Sequence, residues 1–383
     1  MIKITQALDI ILNSIKILPP EEVHLEDALN RILREDISAD MDIPPFDNSA
    51  MDGYAVKAED IKNASIKKPV YLKVIDDIPA GYISGKILNY QEASLIMTGA
   101  PIPDGADCVI IVEHTHKTHD PNHVEIFFPG KCKDNIRFKG EDIKKGETAL
   151  NAGTTIKSSD IGLLAALGKS KIKVGKKPVV SIIGTGDELI DIEKSLVPGK
   201  IRCSTKEDVV SHLNKGKEAD VFITTGGISV GKYDVVKDAM KSLGGEFKFW
   251  QIAMKPGKPF AFCIWEGKPM FGLPGNPISS AISFEQFVRP ALLLMSGKKD
   301  ISLPIIAAIL DSDITKKPGV KYFARCKVYI KDGEFRAEIQ GPHGSNMLKP
   351  LTRSNGLVVM EEDSTIAKRG EKVEVQLIDN INF

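Results

Sequence analysis

Apolar residues Ile4, Leu8, Ile11, Leu12 and Ile15 recur at helical spacing, and Pro19-Pro20 ends that element. Residues 23–33 then read as a strand end and a short helix. From 42 to 56 the periodicity gives way to a turn-rich passage that closes in a strand; long ordered loops of this composition tend to carry function. Short alternating runs at 70–75, 94–97, 108–112 and 123–128 predict a small β-rich region. Ser158-Ser159-Asp160 caps a predicted helix over 161–167, and Gly175-Lys176-Lys177-Pro178 marks a boundary.

Beyond that boundary the texture changes. The run Val179-Val180-Ser181-Ile182-Ile183 predicts a buried strand and is followed at once by Gly184-Thr185-Gly186-Asp187-Glu188-Leu189. Val221–Thr225 is a second such strand, followed by Gly226-Gly227-Ile228-Ser229-Val230-Gly231 and a helix over about 233–243. Two buried strands that each end in a glycine-rich loop imply a parallel sheet with its ligand beyond the carboxyl strand ends. Neither loop is a Walker motif or the dinucleotide fingerprint. A hairpin over 260–271 leads into Phe271-Gly272-Leu273-Pro274-Gly275-Asn276-Pro277-Ile278-Ser279-Ser280. From 301 onward, strands at 305–310, 321–330, 334–339, 356–360 and 372–377 predict a small antiparallel barrel or sandwich.

The corner at 271–280 organises the chemistry. Pro274-Gly275 suits a tight turn, Asn276 a helix cap and Pro277 the first helical position. N–H groups near Ser279 and Ser280 are expected to face beyond the preceding strand. By itself this could be a structural corner. Lys255 and Lys258 of the upstream Lys255-Pro256-Gly257-Lys258-Pro259 turn it towards an oxyanion site. The carboxylates Asp187, Glu188 and Asp234 suit Mg²⁺ and phosphate. No nucleophile with an adjacent base stands out, which favours transfer driven by metal and electrostatics. His114, His116, His119 and His123 sit in a polar hairpin without metal-ligand spacing and read as a solvated loop.

Composition narrows the partners. The 383 residues suffice for several domains, and 51 basic residues balance 51 acidic ones, so no overall field recruits nucleic acid or an acidic membrane. Aromatics are only 6 %, which argues against stacking platforms for single strands. The five cysteines are scattered without a C-x-x-C pair, as expected of reduced thiols in a cytoplasmic protein. No run approaches a membrane span, and the charged N-terminal helix is unlike a secretion signal.

Seven ordered stretches carry a family resemblance: 45–55 (Pro-Phe-Asp-Asn-Ser-Ala-Met-Asp-Gly-Tyr-Ala), 97–101, 140–142, 184–189, 225–231, 255–259 and 272–277. In this order the chain resembles the molybdopterin molybdenumtransferases, the MoeA family, which includes the E domain of gephyrin. The resemblance implies a multidomain α/β plus β protein. Its parts would be a central doubly wound MogA-like α/β domain (176–300), a small β-rich N-terminal domain (51–137), an elongated α+β linker domain (1–50 with 138–175) and a C-terminal β-barrel-like domain (301–383).

It further implies insertion of molybdate into adenylyl-molybdopterin with release of AMP, Mg²⁺ dependence, and a homodimer. Protein partners would be the molybdopterin adenylyltransferase and molybdoenzyme chaperones. Carried over by position, Lys255, Lys258, Pro259, Ser279, Arg325 and Ser345 would bind molybdate. Asp52, Asp142, Asp187, Glu188 and Asp234 would be the acidic catalytic positions, with Asp187, Glu188 and Asp234 holding Mg²⁺. Thr98, Gly226, Gly227, Ser229, Pro274, Asn276 and Pro277 would line the substrate side. The two ammonium groups, the guanidinium and the helix-start hydroxyl also make sense physically, because together they neutralise a dianion.

One departure stands out. After Gly199-Lys200-Ile201 the family shows an Asn-bearing turn, a helix and a strand ending near an Asp. Here Arg202-Cys203-Ser204-Thr205 runs almost directly into 207–213, a shortening by about 30 residues, the size of one helix–strand unit. Cys203 or Ser204 stands roughly where that Asp would be. The expected consequence is an unpaired sheet edge. It leaves room for a paralogue that binds pterin or oxyanion without turnover, beside a scaffold that keeps only the fold and an enzyme for tungstate.

Overall fold

The computed structural model describes residues 1–186, 188–203, 218–227, 241, 244–341 and 348–379. Two compact units emerge: residues 1–34, 153–156 and 172–383, and residues 35–152 with 157–171. The stretch 207–213 and, apart from Lys241, the predicted helix over about 233–243 lie outside the described residues.

In the larger unit, five strands form a mixed sheet. Its order is Val180–Gly184, Val221–Thr225, Lys268–Leu273, Pro259–Trp265 and Glu246–Gln251. The first three run parallel, Val180 opposite Val221 and Phe222 opposite Met270. The hairpin expected at 260–271 forms, with Phe262 opposite Phe271, and continues the sheet in antiparallel sense. Phe260, Phe262, Phe271 and Phe287 are fully buried in the core beneath it. Helix Ile4–Ser14 contributes Ala7 and Ile11 to that core, and the bridge Ile2–Ile252 ties the N-terminus to the unit.

The strand at 180–184 departs from the expected complete burial. Ile182 is 46 % exposed, and this strand is an edge of the described sheet. A short parallel pair, Leu189–Asp191 with Ile201–Cys203, follows it.

The C-terminal strands close into a barrel. Lys321–Lys331 pairs with Glu334–Ile339 on one side and Gly356–Met360 on the other, and Ile305–Leu310 and Lys372–Leu377 complete the ring. The barrel is not wholly antiparallel as expected, since Ile305–Leu310 and Glu334–Ile339 run parallel. Its interior holds Leu310, Tyr322, Cys326, Val328, Val358 and Val375.

In the smaller unit a six-stranded sheet runs in the order Cys108–Ile111, Gly53–Val56, Glu92–Ile96, Val70–Ile78, His123–Ile126 and Thr115–Lys117. Gly53 sits where a Cβ would lie 1.9 Å from the carbonyl oxygen of Ile110, so the strand crossing requires glycine. The helix predicted over 161–167 begins earlier, at Ser158, and Asp160 accepts from the N–H of Lys157 at 2.9 Å. Burial pushes the thiols of Cys108, Cys263 and Cys326 up to about 12, which leaves them protonated and unreactive.

Candidate active site

The parallel strands bring three loops to one end of the larger unit's sheet. The Thr185 N–H donates to the Thr225 carbonyl at 3.0 Å, its hydroxyl donates to the same oxygen at 3.1 Å, and the Gly226 N–H donates to the Leu273 carbonyl at 3.1 Å. Gly226 has φ +88°, and a Cβ there would stand 2.6 Å from the Thr185 carbonyl oxygen. A Cβ on Gly275 would stand 3.3 Å from the Cα of Gly226. Glycine is needed because three backbones meet with no space for side chains. The Glu188 carboxylate curls over Gly186, 2.3 Å from where a Cβ would be. Glu188 is otherwise exposed.

The turn at 274–277 forms as the residues dictate. Asn276 caps the helix Pro277–Ser283, its Oδ1 accepting from the N–H groups of Ile278 at 3.1 Å and Ser279 at 3.2 Å. The Ser280 N–H bonds to the Asn276 carbonyl, and the Ser280 hydroxyl to the Pro274 carbonyl. This corrects the expectation of free N–H groups near Ser279 and Ser280. The Asn cap and the ordinary helical bond take those donors. Attraction for an anion at this corner therefore rests on side chains.

Those side chains come from a loop laid against the same helix. Lys255 and Lys258 are exposed and flank Gly257, whose φ is +106°. A Cβ on Gly257 would lie 2.7 Å from the hydroxyl of Ser283, one helical turn beyond Ser279. Ser279 is 7 % exposed. The Ser283 hydroxyl is fully buried and makes no hydrogen bond among the described residues. Pro259 opens the next strand, half-buried.

The barrel reaches this loop through a short parallel pairing in which Met254 lies opposite Lys321 and Lys255 opposite Tyr322. Arg325, three residues further along, is 8 % exposed, and burial pulls its guanidinium below the usual arginine range. Asp187, Ser229, Asp234 and Ser345 lie outside the described residues. Gly227 follows Gly226 with φ +65°.

Asp52, Thr98 and Asp142 belong to the smaller unit. Three of the motif stretches meet there. Gly99 N–H donates to the Ser49 carbonyl at 2.8 Å, Gly140 N–H to that of Pro44 at 3.0 Å, and Asp142 N–H to that of Ile43 at 3.1 Å. One Asp52 oxygen accepts from the Thr98 N–H at 2.7 Å and its hydroxyl at 2.8 Å. These bonds, the backbone one first, hold the Asp52 carboxyl below the usual carboxylate range. What this exposed group adds to stability is present above its unfolded-state pKa and is lost as pH falls through the lower folded value. We expect Thr98→Val to raise the Asp52 pKa only part of the way, because the backbone donor remains. Carboxyl NMR titration reads this; an unmoved pKa would contradict it.

The seating of Lys255 was not legible in the sequence. Its pairing with the barrel joins residues 67 positions apart, which no local pattern announces.

Comparison with known proteins bears on the whole chain. Residues 2–168 match the MoeA N-terminal region (domain I and II), residues 204–293 a probable molybdopterin binding domain, and residues 307–378 the MoeA C-terminal region (domain IV). A molybdopterin molybdenumtransferase of Staphylococcus aureus strain Mu50 is 36 % identical, over 99 % of this chain and 96 % of its own. That alignment runs to 404 positions, 21 more than the 383 residues here, so at least that many positions of the relative lack a counterpart. The Staphylococcus epidermidis protein of the same name is 34 % identical over 94 % of this chain and 92 % of its own. Among solved structures, the molybdopterin biosynthesis moeA protein of Pyrococcus horikoshii OT3 superposes with a TM-score of 0.81 at 32 % identity. It covers 98 % of this chain and 100 % of that one.

Proposed function

The chain belongs to the MoeA family of molybdopterin molybdenumtransferases, transferases of molybdenum cofactor biosynthesis, and on that premise we propose that it inserts molybdate into adenylyl-molybdopterin with release of AMP. In this reading it acts as a Mg²⁺-dependent homodimer in the cytoplasm. Among the described residues, no helix is long and apolar enough to cross a membrane.

The observation that carries the reading is the Lys255–Lys258 loop seated on the helix that bears Ser279, with the strand of Arg325 paired to that loop. In the proposal Lys255, Lys258 and Arg325 neutralise the molybdate dianion, and the Ser279 hydroxyl and Pro259 complete its shell with Ser345. Charge-assisted hydrogen bonds of this kind are about twice as strong as neutral ones. They also hold the oxyanion in place while the two dithiolene sulfurs bond to molybdenum and displaced oxygen leaves as water with the thiol protons. A water oxygen adds to the adenylate phosphorus as its bond to the bridging oxygen breaks, so AMP leaves and that oxygen stays on the pterin phosphate. Gly226, Gly227, Ser229, Pro274, Asn276 and Pro277 shape the pterin and nucleotide side in the larger unit, and Asp52, Thr98 and Asp142 are the smaller unit's candidate substrate contacts.

Glu188 supplies the hard oxygen that Mg²⁺ prefers. An ion that keeps several waters and takes one or two carboxylates plus substrate phosphate fits such a donor. Among the described residues no group of three acidic, His or Cys side chains is poised for a metal; Glu188 would hold it with Asp187 and Asp234. When bound, it would supply positive charge to the phosphate oxygens.

The test is direct. Given adenylyl-molybdopterin, Mg²⁺ and molybdate, the purified protein is expected to release AMP and yield a cofactor that activates an apo-molybdoenzyme. Substrate binding without AMP release would instead identify a paralogue that binds without turnover, the reading favoured by the positions of the relative that lack a counterpart here.

A further inference from the structure

Tyr322 neighbours two of the cationic residues assigned above to the oxyanion. The Lys255 ammonium stands over its ring, 5.9 Å from the centroid. Arg325 follows three residues along the same strand, its side chain leaving the opposite face, and interacts electrostatically with the phenol. Backbone pairing places Tyr322 opposite Lys255 in register, so the two side chains leave the same face of the pairing.

The ring is 7 % exposed and belongs to the barrel core with Ala324, Cys326 and Met360. It is a fixed wall, whereas the lysine above it is a flexible stem at the surface. An aromatic face attracts an ammonium through its quadrupole, most strongly where water is excluded. Burial raises the phenol's pKa above its ordinary value, against the opposing charge of Arg325, so the ring does not add an anion beside the pocket.

We propose that Tyr322 is a positioning residue that seats the Lys255 ammonium on its ring and so fixes one of the cations that receive molybdate. This rests on the assignment of Lys255 to that anion. The aromatic face, and not the hydroxyl, carries the effect.

The experiment measures molybdate dependence of AMP release for the full-length protein at saturating adenylyl-molybdopterin, together with thermal midpoints. Tyr322→Phe keeps the face and should leave the molybdate KM within about twofold of the parent. Tyr322→Leu should raise that KM by about two- to thirtyfold with kcat nearly unchanged. In a Lys255→Ala background Tyr322→Leu should have no further effect on KM, because the seated group is gone. A drop in kcat with unchanged KM, or an equal rise in KM in both backgrounds, would overturn the proposal by showing a merely structural role.

If Tyr322→Leu does not fold, phenylalanines carrying successive ring fluorines at 322 preserve shape while weakening the quadrupole. KM should then climb stepwise, and a flat series overturns the proposal. The underlying site assignment fails separately, if Lys255→Ala itself leaves the molybdate KM unchanged.

Discussion

Lys258→Ala is expected to raise the molybdate concentration for half-maximal AMP release by ~10- to 150-fold, the range set by loss of one hydrogen bond to a charged group. The side chain is exposed and adjoins the loop that packs on the Ser279 helix. Truncation should therefore leave folding untouched and act on the anion alone. A dianion neutralised by three cationic groups loses a third of its countercharge in one step. Lys258→Arg should recover only part of the loss, since a planar fork does not replace a compact ammonium in a shell of fixed shape. Steady-state titration with molybdate at saturating pterin measures this. An unchanged titration curve in Lys258→Ala would mean that the anion binds elsewhere.

Phe260→Ala is expected to give the largest stability loss, about 3–5 kcal/mol. Phe260 is fully buried, with Phe287 at 4.8 Å, Phe249 at 5.9 Å and Phe271 at 6.3 Å between ring centroids. Rings on three sides belong to two other strands and to the helical stretch after the 274–277 turn. No one neighbour can move in to fill the space, so a cavity remains. Against a typical stability of about 5–15 kcal/mol, such a loss approaches unfolding of the larger unit. Urea titration followed by tryptophan emission from Trp250 and Trp265 reports on that unit. A midpoint equal to the parent's would show that the aromatic cluster is not the centre of this core. Phe260→Leu should fall between, because it restores part of the volume.

Local chemistry made much of the fold readable. The Pro-Gly-Asn-Pro corner has one comfortable conformation, and it is the one adopted: turn, Asn cap, helix. Val221–Thr225 reads as a buried strand and is one, because parallel partners cover it on both sides. The same pattern misled at Ile182. A run of apolar residues marks a strand, and the exposure of each side chain depends on what packs on that face of the sheet.

The candidate site was legible in its residue types and less so in its wiring. Ammonium groups beside a helix start are visible in the chain, but competition for that helix's N–H groups is settled only in three dimensions, where Asn276 takes two of them. The close approach of Gly226 to Thr185, and of Gly257 to Ser283, is likewise invisible to periodicity. A glycine in a loop signals that some backbone comes near without naming it. Tyr322 gave no signal at all, being an ordinary barrel residue until the strand pairing sets it beneath Lys255.

Crystals soaked in molybdate and measured on both sides of the molybdenum absorption edge test the central assignment most directly. The strongest anomalous peak is expected within hydrogen-bond reach of the Lys258 ammonium and the Arg325 guanidinium. A strongest peak beside other residues, with both of these groups remote from it, would contradict the account.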